Sequence, residues 1–186
     1  CANYRGIALM HPLRLACRVS AASAALVLAA CASPSPTTAD TAPVSTIPPA
    51  TMVQTIRASA GDGDGELAVQ PLRDPMVEDL RARAVTLEGQ GDLAGAVAAL
   101  DEAMTIVDSD PALLQERAEL AILQNDLPRA AQLAERAYAL GAQVGPLCRR
   151  HWITLEQVRL STGDAEGAVQ ARGQADGCRV AGPNRY

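Results

Sequence analysis

Aromatic side chains and lysine are scarce in this chain of 186 residues. Phe is absent, aromatic residues make up 2% of the sequence, and all 16 basic residues are arginine. The hydrophobic 48% is therefore mostly Ala, Leu and Val, which favours closely packed helices over an aromatic-filled sandwich or barrel. A formal net charge of -5 disfavours nucleic-acid binding, because phosphate contacts need a basic surface. No apolar run reaches the roughly 18–20 residues that a membrane-spanning helix needs.

The N-terminal region has the order of features that is typical of an export signal. Arg14 and Arg18 precede an uncharged stretch, Val19 to Ala30, which is too short to span a membrane and is followed directly by Cys31. The segment Leu28-Ala29-Ala30-Cys31 resembles the lipobox of bacterial lipoproteins. That resemblance implies that residues 1–30 are removed as a signal peptide and that the Cys31 thiol carries a diacylglycerol. Cleavage near Ala30 as a plain secretory signal, with Cys31 incidental, is the alternative.

The expected location follows from this resemblance. Ala32 stands where an Asp often retains such lipoproteins at the inner membrane, so we expect a lipid anchor in the outer membrane, facing the periplasm. Several acyl chains would hold the domain on the bilayer almost permanently. Met10 would give a signal peptide of ordinary length, in which case residues 1–9 result from a misassigned start.

Residues 31–73 are rich in Pro, Thr, Ala and Gly and show no hydrophobic period. This composition predicts a disordered linker after the lipidated cysteine. Asp62, Asp64 and Glu66 have the alternate spacing that opens an EF-hand loop, but Leu67 occupies the place of its turn glycine. We therefore expect a linker here rather than a calcium site.

Residues 74–182 contain an internal repeat. Asp74-Pro75 is a good N-cap followed by a first-turn proline, and the pairs Gly91-Asp92 and Asn125-Asp126 lie 34 residues apart, with Gly163-Asp164 starting a third copy. Small side chains let helices approach closely, while larger ones fill the adjacent gaps. The residues expected to pack the repeats together are Leu80, Ala84, Ala96, Ala103, Leu114, Ala118, Ala130, Ala137, Trp152, Ala168 and Ala175.

This pattern resembles the tetratricopeptide repeat (TPR), a 34-residue helix-turn-helix unit. The resemblance implies an all-α fold of about three hairpins in a right-handed superhelix, with residues 183–186 as a C-terminal tail. An irregular Ala-rich bundle is the alternative. In the family, the first helix of each hairpin lines a concave groove that holds peptides or partner helices. By helical spacing, the groove residues expected here are Arg81, Val85, Glu88, Gln115, Glu119, Ile122, Ile153, Gln157 and Leu160.

Cys148 and Cys178 fall at neighbouring ends of the third antiparallel hairpin. In an oxidising periplasm that arrangement predicts a disulfide. Cys148, His151 and Cys178 also offer three zinc ligands, but a fourth ligand is missing, so we expect no metal.

No nucleophile or metal-hydrolase motif accompanies His151, the single histidine of the expected mature chain. We therefore expect neither an enzyme nor a cofactor or small-molecule substrate. The predicted function is a membrane-anchored scaffold that binds an unidentified envelope protein through its repeats. Two alternatives are an assembly factor, such as a pilotin or a component of an outer-membrane machine, and an accessory regulator of a peptidoglycan enzyme.

Overall fold

Helices make up almost all of the chain that the structure describes. This computed structural model describes residues 46–61 and 74–182; the predicted signal peptide at 1–30, Cys31, the acidic segment at 62–66 and the predicted tail at 183–186 lie outside those residues. The predicted all-α fold is confirmed, because the described residues form seven helices and no β-strand. These helices are α1 (Pro49–Ala58), α2 (Pro75–Gly89), α3 (Leu93–Ile106), α4 (Pro111–Leu123), α5 (Leu127–Leu140), α6 (Gly145–Ser161) and α7 (Ala165–Gly177).

Helices α2 to α7 form three successive hairpins. The pairs α2–α3, α4–α5 and α6–α7 each pack closely, and neighbouring hairpins join through α3 against α4 and α5 against α6. Each hairpin therefore buries an apolar face that it could not bury alone. This stack is the TPR-like arrangement that the repeat predicts.

The repeated Gly-Asp and Asn-Asp pairs make the turns inside the hairpins. Gly91, Asn125 and Gly163 have φ of 81°, 61° and 82°, a left-handed conformation that Gly and Asn adopt at the lowest cost. The aspartate that follows each of them accepts a hydrogen bond from the backbone N–H three residues later. It thereby caps α3, α5 or α7, which explains why the pair recurs with every repeat.

Small side chains occupy the places where the helices cross. Ten of the eleven residues expected to pack the repeats are buried, and Trp152 is half-buried. The Trp152 ring meets Tyr138 of α5 edge to face, with 4.8 Å between ring centroids, and so joins α6 to the preceding hairpin.

The third hairpin is closed by a covalent link. Cys148, near the start of α6, and Cys178, after α7, form the predicted disulfide with 5.8 Å between their Cα atoms. The backbone N–H of Gly145 also donates to the carbonyl of Cys178 at 2.7 Å. Both ends of this hairpin are thus fixed to each other.

Helix α1 shows that the predicted linker at 31–73 is wrong for Pro49–Ala58. This ten-residue helix buries Met52, Val53 and Ile56, which are only 1%, 4% and 0% exposed. Adjacent residues and residues one turn apart share a helix face, so the three side chains form one short apolar stripe. The composition of the surrounding Pro- and Thr-rich sequence concealed this stripe.

Candidate functional site

The first helices of the hairpins, α2, α4 and α6, form the surface that we call the groove. Helix α1 packs on α4 and α6. Met52, Val53 and Ile56 share a buried apolar cluster with Ile122 of α4 and Ile153 of α6. The chain therefore places a helix of its own on two of the three helices expected to receive a partner.

Arg57 ties α1 to two helices of the groove. Its Nη1 and Nη2 donate to Oε1 and Oε2 of Glu88 on α2, at 2.8 and 2.9 Å, and its Nε donates to Oε2 of Glu119 on α4 at 2.8 Å. The hydrogen bond to Glu88, helped by Glu119, raises the pKa of Arg57 above its ordinary value despite partial burial. A bidentate pair of this kind fixes orientation as well as distance.

Arg149 of α6 holds the other end of the same contact. Its Nε donates to the carbonyl of Ser59 at 2.8 Å and its Nη2 to the carbonyl of Ala60 at 2.6 Å. These carbonyls follow directly after α1, where helix carbonyls lack partners and the helix dipole is negative. A guanidinium there stabilises the C-terminal end of α1.

A largely buried polar network joins α4 and α6. The Gln115 amide nitrogen donates to Oε1 of Glu119 at 2.9 Å and to Oγ1 of Thr154 at 2.8 Å, and Nε of Arg150 donates to the same Glu119 oxygen at 3.1 Å. Glu119 is 0% exposed, and its carboxylate pairs with Arg57 on one side and Arg150 on the other, as a buried charge requires. The network couples α1 to α6 through a single carboxylate.

His151 belongs to this network and is not a reactive group. Its Nδ1 lies 2.8 Å from the Gln115 amide oxygen, so Nδ1 carries the proton, and Nε2 is buried with no hydrogen-bond partner. Burial, and secondarily the charge of Arg150, lowers the pKa of His151 to about 3. The ring is therefore neutral at physiological pH, and at 0% exposure it cannot reach a substrate.

The α2 end of the groove is open. A cavity of about 100 Å3 lies between α1, α2, α4 and α6. Arg81 lines this cavity and donates from Nε to Glu116 at 2.9 Å and from Nη1 to Glu78 at 2.7 Å. Val85 also lines it and is 68% exposed. The charged lining residues are Arg57, Arg81 and Arg150 with Glu88, Glu116 and Glu119. Because the two signs balance, this cavity has no excess charge for a small ion.

The nine residues expected to line the groove do not form one open surface. Arg81, Glu88 and Leu160 are half-buried and Val85 is exposed. The other five are buried: Gln115, Glu119, Ile122, Ile153 and Gln157.

The sequence analysis missed the residues that cover the groove. Met52, Val53, Ile56 and Arg57 lay inside the predicted linker, and Arg149 received no role. The i, i+1, i+4 spacing of the three apolar residues is the feature that predicts a short amphipathic helix there.

Metal binding and membrane spanning have no support within residues 46–61 and 74–182. No three His, Cys, Asp or Glu side chains in this part of the chain converge as a metal site. None of its helices combines the length and apolar character needed to cross a bilayer.

The hairpin stack, its capped turns and its groove define a TPR-like helical-repeat domain. No protein-family model matches the chain, and no curated protein sequence matches it. Among solved structures, the globular C-terminal domain of P. aeruginosa LpoP is similar, with a TM-score of 0.53 and 31% sequence identity. That likeness covers 56% of this chain and 99% of the LpoP domain.

Proposed function

We propose that this chain is a lipid-anchored envelope protein whose TPR-like domain regulates a peptidoglycan enzyme. The observation that carries the proposal is the likeness to the LpoP domain, at 31% identity over 99% of that domain. Among the three candidate functions, this likeness favours the accessory regulator over a general scaffold or an assembly factor.

The proposed anchor is a diacylglycerol on Cys31, in the outer membrane and facing the periplasm. The lipobox-like segment that ends at Cys31 supports the lipid, and the likeness to the LpoP domain supports the location. The Cys148–Cys178 disulfide agrees with an oxidising compartment outside the cytoplasm.

The open α2 end of the groove is the proposed contact surface for the enzyme. The part over α4 and α6 is already covered by α1, whereas Val85 remains 68% exposed beside the cavity. In the proposed contact, Val85 would supply the apolar centre that excludes water, and the charged groups around it would set orientation.

The test is to add the purified, processed chain to the peptidoglycan synthases of its own cell and to measure glycan polymerisation and crosslinking. We expect the chain to bind one synthase and to change its rate several-fold and saturably. Binding and rate change should both fall at least tenfold in Val85→Glu.

The matched control is Val169→Glu on α7, which changes an equally exposed valine, 73% accessible, on a second helix of a hairpin. It should bind like the unmodified chain. If no synthase binds the chain, the proposed function is wrong. If both variants bind equally well, the contact lies away from the α2 end.

A further inference from the structure

We infer that like charges keep two copies of this chain from stacking end to end: Asp79 and Arg83 on the outer face of α2 would meet Asp176 and Arg172 on the outer face of α7. An outer face here is the side of a helix that points away from the stack. Head-to-tail contacts between identical copies build rings or open filaments, so a stack of repeats is exposed to this kind of association. Contacts between copies are separate from the enzyme contact proposed above, and either proposal can fail without the other.

Four positions of each second helix form a stripe on the side where the next hairpin packs. Their spacing is i, i+4, i+7 and i+11, which places them on one side of a helix. All four are buried or half-buried in α3 and α5, whereas all four are exposed in α7, where two of them are charged. The stripe is Leu93, Val97, Leu100 and Met104 in α3, Leu127, Ala131, Ala134 and Tyr138 in α5, and Ala165, Val169, Arg172 and Asp176 in α7.

The outer face of α2 differs from α4 in the same way. Helix α4 buries Leu113 and Leu120 in the apolar cluster of the first hairpin, where they are 0% and 2% exposed. The residues one 34-residue repeat earlier are Asp79 and Thr86, and both are exposed. Polar side chains therefore replace apolar ones on both outer faces, which removes the apolar burial that joins the hairpins inside the stack.

The two junctions inside the stack share one register. In the first junction, Nε of Arg117 on α4 donates to Oδ1 of Asp101 on α3 at 2.9 Å. In the second junction, Trp152 of α6 meets Tyr138 of α5 with 4.8 Å between ring centroids. Shifted back by one repeat, the second pair falls on the same antiparallel alignment as the first. The register of a further junction can therefore be derived by repeat equivalence.

At a head-to-tail joint between two copies, this register brings like charges together. Asp176 of one copy would lie beside Asp79 of the other, and Arg172 would lie beside Arg83. The ion pair of the first junction would also be lost, because Gly173 would stand opposite Arg83. Like charges brought together with loss of water disfavour such a contact, and the pattern on both outer faces thus opposes addition of a second copy.

The experiment mixes two variants of the full chain. One carries Asp79→Leu and Thr86→Leu, which copy the apolar residues of α4 onto α2, and the other carries Arg172→Leu and Asp176→Met, which copy those of α3 onto α7. We expect each variant alone to sediment as a monomer. The mixture should double the sedimenting mass, since each partner keeps one charged outer face and growth stops at a 1:1 complex. A chain with all four changes should form oligomers that lengthen with concentration.

A matched control adds the same apolar side chains outside the stripe. Gln170→Leu and Gln174→Met on α7 serve this purpose, because the equivalent positions of α3 and α5 are exposed, and this control should stay monomeric when mixed with the α2 variant. Circular dichroism checks that each variant is helical. Arg172 also pairs with Glu156 at 2.9 Å, so Asp176→Met alone replaces the double α7 variant if loss of that pair unfolds the chain.

Three results would overturn the proposal. The unmodified chain could form a concentration-dependent series of oligomers, which would show that these charges do not prevent stacking. The two variants could remain monomers when mixed, which would show that other features keep the copies apart. The control could associate with the α2 variant as strongly as the α7 variant does, which would show that added apolar surface, rather than the stripe, drives the association.

Discussion

The first and third hairpins have the same fold but are held in different ways. The third hairpin carries the disulfide, contacts α1 and contains His151 and Thr154 of the buried network. The first hairpin contacts α1 mainly through the Arg57–Glu88 pair and leaves Val85 exposed on its groove side. The repeated residues therefore specify the hairpin fold. Residues that occur only once decide which hairpin is held by the disulfide and α1, and which hairpin keeps an exposed groove side.

We call the third hairpin the closed end of the stack and the first hairpin the open end. The contacts that stabilise the fold concentrate at the closed end, whereas the proposed partner surface lies at the open end. The closed end buries polar groups that depend on one another through shared hydrogen bonds, although Nε2 of His151 has no hydrogen-bond partner among them. At the open end, the Arg57–Glu88 and Arg81–Glu78 pairs each have one member that is 41–45% exposed, and pairs so accessible to solvent contribute little to stability. The following predictions test this contrast, from the largest effect to the smallest.

Removal of the disulfide should have the largest effect. Replacing Cys148 and Cys178 by serine opens a loop with a sequence separation of 30 residues, which should lower the free energy of unfolding by about 3–4 kcal/mol on the chain-entropy model. Urea denaturation measures the loss. In hydrogen exchange, protection should fall in α6 and α7 and fall less in α2 and α3, and an equal fall in all hairpins would contradict the contrast.

Truncation of the central anchor of α1 should come next. Ile56→Ala removes a fully buried side chain and should lower the free energy of unfolding by about 2–3 kcal/mol, the lower part of the range for such changes. Gln54→Ala on the exposed side is the control, and a comparable loss there would mean that the buried face does not hold α1.

Acidification should weaken the closed end through His151. Its pKa is lowered to about 3 in the folded chain but is about 6.5 when unfolded, so the unfolded chain binds more protons between these values and stability falls as pH falls. Between pH 6 and pH 5 this single group should cost about 1 kcal/mol. His151→Asn keeps a donor for Gln115 but does not titrate, so its pH profile should lack this component. Identical profiles would show that His151 does not titrate as described.

The smallest effect is expected at the open end. Val85→Ala removes an exposed side chain and should change the free energy of unfolding by less than about 0.5 kcal/mol. Thermal or urea denaturation measures it. A loss as large as that of Ile56→Ala would mean that the α2 end is covered in solution.

The parts of the fold that sequence predicts are those that local chemistry determines. Asp92, Asp126 and Asp164 cap helices beside residues that tolerate a left-handed turn, and both requirements appear directly in the sequence. The cysteine pairing follows from the same periodicity, because the repeat places both residues at adjacent hairpin ends.

The groove could be predicted only in part, because helical spacing assigns a residue to a face without showing what covers that face. Gln115 and Glu119 do lie on the first helix of their hairpin, but their partners come from α1 and α6. Helix α1 has three apolar anchors and depends on the groove for its stability, so neither composition nor propensity identifies it.

The docked position of α1 has a consequence for where the domain can work. Cys31 precedes Pro49 by 18 residues and Asp74 by 43 residues. If a lipid on Cys31 anchors the chain and α1 is bound, the 18 residues before α1 limit the distance between α1 and the bilayer. Even fully extended, they reach about 60 Å. If α1 were released, that maximum distance from the bilayer would increase to about 140 Å. The helix that fills the groove would thus also set the depth of periplasm that the domain can sample.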